Sequence, residues 1–91
     1  MDKKRAHLII YGKVQGVFFR ASTKDKAIEL GLKGFVRNKP DETVEVIAEG
    51  TEKQIQELVA WCHEGPDHSI VELVKLDCQP YIGEFEEFTI I

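Results

Sequence analysis

Ninety-one residues, 43% apolar and 31% charged, suffice for one domain around one modest core and place the chain among globular, not disordered, sequences. Twelve basic against 16 acidic side chains leave a net charge of −4 at pH 7, the wrong sign for a module that grips nucleic-acid phosphates. The basic start Met1-Asp2-Lys3-Lys4-Arg5 leads into an apolar run too short for a signal core, and no stretch reaches membrane-spanning length, so the expectation is a cytoplasmic protein with residues 1–91 as a single domain and no membrane or nucleic-acid partner.

Residues 7–12 form an apolar run closed by glycine and predict the first strand. Ser22-Thr23-Lys24-Asp25 reads as a capping signature; Thr23, Ala27 and Leu30 then share one helical face, with Ile28 at its margin and Gly31 as the left-handed terminator. Residues 32–38 predict a second strand and Lys39-Pro40-Asp41-Glu42 a turn. Residues 43–49 alternate, with Val44, Val46 and Ala48 on one side and Glu45 and Glu49 on the other, which predicts a half-buried strand ended by Gly50. Thr51-x-x-Gln54 is a capping box. Ile55, Leu58, Val59 and Cys62 make a core-facing stripe behind it, Trp61 packs at the stripe's edge, and Gly65-Pro66 stops the helix. Residues 70–76 and 85–91 predict two more strands, with Glu84, Glu86 and Glu87 on a solvated face of the last. His7, His63 and His68 read as surface or strand-edge residues.

The order β-α-β-β-α-β plus a short C-terminal strand is the ferredoxin-like split βαβ pattern of the α+β class: a mostly antiparallel sheet with two helices on one face. That fold hosts many functions and settles none. Cys62 falls near the end of the second helix and Cys78 nine residues beyond Ser69, far along the next strand, so the Cα atoms are too distant for a disulfide and both thiols are expected free. Cys62, His63, His68 and Cys78 match no common zinc spacing.

The informative segment is Gly12-Lys13-Val14-Gln15-Gly16-Val17-Phe18-Phe19-Arg20. Glycines bracket a strand-to-helix connection, and an arginine stands at the helix entrance. Converging backbone N–H groups, the positive end of the helix and a guanidinium fork together make an anion cradle. Gly34-Phe35-Val36-Arg37-Asn38 puts Asn38 at the carboxyl end of the second strand. In this topology the first and second strands are parallel, so Asn38 and the loop share one rim; if the third strand lies between them, the two stand about 10 Å apart. Taken separately, each half has an ordinary reading: a glycine turn with a solvated arginine, and a turn asparagine ahead of Pro40.

Gly12-x-Val14-Gln15-Gly16-Val17-x-Phe19-Arg20 followed by Gly34-Phe35-Val36-Arg37-Asn38, with Gly50 and Gly65-Pro66 in step, resembles the acylphosphatase family over nearly the whole chain. The resemblance implies an enzyme that hydrolyses the carboxyl-phosphate bond of small acylphosphates to carboxylate and orthophosphate, with no metal, cofactor or covalent intermediate; a monomer is the expectation, although no residue pattern reveals the oligomeric state. The resemblance also implies that Arg20 binds the phosphoryl group together with the amides of Gln15, Gly16, Val17, Phe18, Phe19 and Arg20, while Asn38 orients the attacking water. The chemistry fits the residues present, because a carboxylate leaves without a proton and fixed donors can carry the rest. Cys-x₅-Arg is absent, since His68 and Glu84 stand six positions after the two cysteines; Asp-x-Asp and a P-loop are absent as well.

One position departs from the family pattern: members usually carry glycine where this chain has Glu42. If that residue adopts φ > 0, glutamate costs about 1–2 kcal/mol there. The principal rival is a non-catalytic ferredoxin-like regulatory module, which would need no Arg20–Asn38 pair. Lys33-Gly34-Phe35-Val36 faintly matches an RNA-recognition strand but lacks its second glycine-aromatic step. The chain's length also favours a stand-alone member over modules embedded in larger maturation enzymes. Nothing outside the phosphate cradle reads as an acyl pocket.

Overall fold

The computed structural model describes residues 2–91. Seven elements follow the expected order: β1 (Lys3–Lys13), α1 (Phe19–Leu30), β2 (Lys33–Asn38), β3 (Val44–Thr51), α2 (Glu52–Glu64), β4 (Ile70–Pro80) and β5 (Phe88–Ile90). The strands lie in the order β4-β1-β3-β2-β5. β1 and β2 each pair antiparallel with β3 and are therefore parallel to one another, which puts their carboxyl ends on one rim. β5 pairs parallel with β2, making the sheet mixed at that edge. This is the ferredoxin-like α+β arrangement.

One face of the sheet is apolar because period-two alternation places Ala6, Leu8 and Ile10 of β1 beside Val44, Val46 and Ala48 of β3 and Val36 of β2, all fully buried. The helices cover that face with Phe19, Thr23 and Ala27 from α1 and Ile55, Leu58 and Cys62 from α2. α2 begins as expected: Thr51 Oγ1 accepts from the Gln54 amide, and the Gln54 side chain accepts from the Thr51 amide at 2.8 Å. Trp61 is half-buried with its ring 5.7 Å from that of Phe19, tying the helices together.

Several local expectations are corrected. α1 starts at Phe19, not at Ser22, with a left-handed Phe18 before it and no side-chain cap; the Thr23 hydroxyl donates instead to the Phe19 carbonyl at 2.7 Å. β3 is buried on both faces and continues through Gly50 to Thr51. Glu45 and Glu49 are both buried: the chain between β4 and β5 crosses the helix-free face at Glu49, where the amides of Ile82 and Gly83 donate to its carboxylate at 2.9 and 3.2 Å and Phe85 stacks edge-on against Phe35. Glu49 also pairs with Arg5 at 3.4 Å, and Glu45 binds Arg37 and the His7 ring, the latter at 2.7 Å. His7 therefore lies half-buried on an inner strand and is not a strand-edge residue. Glu84, Glu86 and Glu87 precede β5, and Glu84 pairs with Arg5. β4 runs four residues past its expected end, to Pro80, and β5 is confined to three residues.

Candidate active site

The loop leaving β1 is fixed at both ends. At Gly12 the β1–β4 register shifts, φ is 131°, and a Cβ would lie 2.0 Å from the Ile70 carbonyl oxygen, so only glycine lets the strand end press this closely on β4. Val14 is buried in the core and Val17 packs against it, which roots residues 14–18 while leaving Gly16 and Phe18 facing outward. Gly16 and Phe18 both take left-handed φ, 75° and 62°, on either side of Val17. Such alternation turns successive N–H groups toward one side, the geometry of an anion nest, and the segment runs directly into the positive end of α1.

Among the described residues, none of the amides from Gln15 to Ala21 donates to a protein acceptor; the first amide after the loop that does is Ser22, to the Phe18 carbonyl at 3.0 Å. Arg20, in the first turn of α1, is exposed and forms no ion pair among the described residues. Across the rim, Asn38 ends β2 opposite Val44, and its Oδ1 is buried with no hydrogen-bond partner. A buried, unsatisfied acceptor is costly, so Oδ1 is poised to accept a hydrogen bond from a water or ligand.

Arg20 and Asn38 line the same cavity of about 320 Å³, together with Gly16, Phe18 and Phe19. Gln15 and Val17 do not line it. The Gln15 side chain instead turns to the β2–β3 hairpin and donates from Nε2 to the carbonyls of Lys39 and Thr43, both at 2.9 Å. That pair of bonds latches the anion loop to the turn that follows Asn38. The turn itself is a tight one. Glu42 N donates to the Lys39 carbonyl at 3.1 Å and Lys39 N to the Thr43 carbonyl at 2.9 Å, while Asp41 accepts from both the hydroxyl and the amide of Thr43. These Thr43 bonds, the hydroxyl's foremost, hold the Asp41 carboxyl below its ordinary value.

Three features of the site escaped the sequence reading: the Gln15 latch, the side chain of Phe18, and the presence of Ala21 and Ile90 in the cavity wall. Ile90 arrives there because β5 pairs with β2 in the register Val36↔Ile90, a long-range contact with no local signal. The zinc combination is dispersed. Cys62 is buried in α2 and Cys78 is exposed on β4, and no three His, Cys, Asp or Glu side chains converge as a metal site among the described residues.

The family model described as acylphosphatase matches residues 6–90. An acylphosphatase of Marinobacter nauticus is 51% identical over 88 residues, covering 97% of this chain and 96% of the relative. One from Pelotomaculum thermopropionicum is 46% identical over 90 residues, 99% and 98% of the two chains. The crystal structure of acylphosphatase from Bacillus subtilis superposes with a TM-score of 0.94 at 31% identity, covering 97% of this chain and 98% of that one.

Proposed function

Since the chain belongs to the acylphosphatase family and is an enzyme of that class, we propose that it cleaves small acylphosphates by direct attack of water on phosphorus, with Arg20 and the loop amides as the phosphoryl site and Asn38 as the water-positioning group. The observation that carries this reading is the Asn38 Oδ1, buried without a partner and lining the same cavity as Arg20.

In this mechanism the amides of residues 15–20 and the Arg20 guanidinium hold the non-bridging phosphoryl oxygens, and their fixed dipoles match charge that spreads over those oxygens in the transition state. Asn38 Oδ1 accepts a hydrogen bond from one water O–H and so leaves an oxygen lone pair directed at phosphorus. The bond to the bridging oxygen breaks, the carboxylate departs with the electron pair, and the water's protons remain with orthophosphate. The leaving acid has a pKa of about 4, so no general acid is needed. Nor does any step call on a metal.

Purified protein supplied with benzoyl phosphate or acetyl phosphate and excess chelator is expected to turn both over. Arg20→Ala is expected to lose turnover and orthophosphate inhibition together. Asn38→Ala is expected to keep the orthophosphate inhibition constant and lose about a hundredfold in kcat. Equal, mild effects from both variants would show that these roles are wrong, and wild-type protein inert in chelator would refute the metal-free mechanism.

A further inference from the structure

The cavity lining is of two chemical kinds: Arg20 and Asn38, beside the loop whose amides are bare, and the exposed apolar side chains of Phe18, Ala21 and Ile90. We propose that the Phe18 ring, with Ala21 and Ile90, binds the acyl portion of the substrate and makes the enzyme select aromatic over short aliphatic acylphosphates. This rests on the phosphoryl-site reading above and adds to it the part of the substrate that does not react.

Phe18 is the most exposed large apolar residue described, at 82%, and it adopts φ 62° and ψ 22°, a backbone conformation that glycine or asparagine reaches at lower cost. Its ring does nothing for the fold: it is neither in the core nor packed against it, and it joins neither of the aromatic pairs, Phe19–Trp61 and Phe35–Phe85. A lone exposed phenylalanine on a surface calls for no explanation. This one stands in strained backbone at the rim of the anion cradle, and strain of that kind collects at ligand sites.

The left-handed turn at Phe18 has two consequences at once. It leaves the neighbouring amides without protein acceptors, and it leaves the phenyl ring exposed where Phe18 lines the cavity. Ala21 lies one helical turn on, small enough to leave the ring's face free. Ile90 closes the wall from β5, at the end where β5 pairs with β2. Against such a wall an aromatic acyl group gains ring-to-ring contact and buries apolar area on both partners, whereas a methyl group covers little of it.

The test compares kcat/KM for benzoyl phosphate and acetyl phosphate across wild type, Phe18→Ala, Phe18→Tyr and Ile90→Ala, with orthophosphate inhibition measured in each. Phe18→Ala is expected to lower the benzoyl-to-acetyl ratio by about three- to tenfold. Phe18→Tyr, which keeps the ring face, is expected to hold the ratio near wild type, and Ile90→Ala to lower it in the same direction as Phe18→Ala. An unchanged ratio in Phe18→Ala, whether or not both rates fall together, overturns the acyl-side assignment while the phosphoryl-site reading stands on its own variants. Wild-type protein inert toward both substrates overturns the two together.

Discussion

Glu42 occupies the left-handed position of the β2–β3 hairpin with φ 72°. The Glu42 N–H bonds to the Lys39 carbonyl at 3.1 Å and the Lys39 N–H to the Thr43 carbonyl at 2.9 Å, so the residue cannot relax to negative φ without breaking the turn. This is the three-residue hairpin loop in which a type I turn is followed by a residue in αL, a position suited to glycine. A non-glycine residue there costs about 1–2 kcal/mol. Glycine returns about 0.4–1 kcal/mol of that through the greater freedom of the unfolded chain. Glu42→Gly is therefore expected to stabilise the fold by about 0.5–1 kcal/mol, which for a domain of this size raises the melting midpoint by about 3–6 °C. Thermal and urea unfolding followed by circular dichroism measure it. Glu42→Ala removes the same charge but keeps the backbone cost, and should stay near wild type. A Glu42→Gly midpoint at or below wild type would refute the strain, and a gain in Glu42→Ala equal to that in Glu42→Gly would assign the effect to charge instead.

Gln15→Ala removes both bonds of the latch to Lys39 and Thr43; it should cost about 1–2 kcal/mol in unfolding experiments and weaken orthophosphate inhibition, and a variant with wild-type stability and inhibition would show that the latch does not shape the site. Burial pushes the Glu45 carboxyl up, but the hydrogen bonds from Arg37 and His7 together outweigh it and leave the group below its ordinary value. Its contribution is thus fully present above the unfolded value of about 4.3 and is lost as pH falls through the lower folded value, so the acid limb of the stability profile should be shallower in Glu45→Gln than in wild type; identical limbs would contradict the pairing. Burial also pushes the Cys62 thiol up to about 12, while Cys78 is exposed. One thiol per native chain should react with a thiol reagent at pH 8, and both after unfolding; two rapid reactions in the native protein would place Cys62 wrongly.

Much of this architecture is written in local patterns. The Thr51–Gln54 capping box, the helical stripe on α2 and the glycine-bounded loop before Arg20 each follow from spacing within a few residues, and each stands where that spacing puts it. What could not be read is what distant segments decide. Glu45 and Glu49 alternate with valines as an exposed strand face would, yet both are buried: Glu49 by a segment more than 30 residues later in the chain, whose amides reach its carboxylate, and Glu45 against Arg37 and the His7 ring of the neighbouring strands. The start of α1 was misplaced because Ser22 and Thr23 carry the residue types of a cap, whereas the real entry is a strained Phe18 with no capping side chain. Ile90 entered the cavity wall through the pairing of β5 with β2, which no window of sequence around it records.

The same contrast explains how the candidate site keeps its geometry. Arg20 lies in the first turn of α1, just after β1, and Asn38 ends β2, with β3 lying between those two strands, and an error of about 1 Å between them would forfeit much of the benefit of positioning. Three independent ties oppose such drift. The β1–β3–β2 ladder fixes the rim, the Phe19–Trp61 contact holds the first turn of α1 against α2, and Gln15 bridges the loop to the hairpin directly beyond Asn38. The last of these joins carbonyls whose orientation the turn at Glu42 sets, so the hairpin's strain and the loop's position share one set of backbone bonds. Relieving the strain with glycine leaves those carbonyls where they are, because glycine takes up the same φ without cost. The Glu42→Gly variant should therefore melt higher with its orthophosphate inhibition unchanged, which separates the turn's contribution to stability from its contribution to the site.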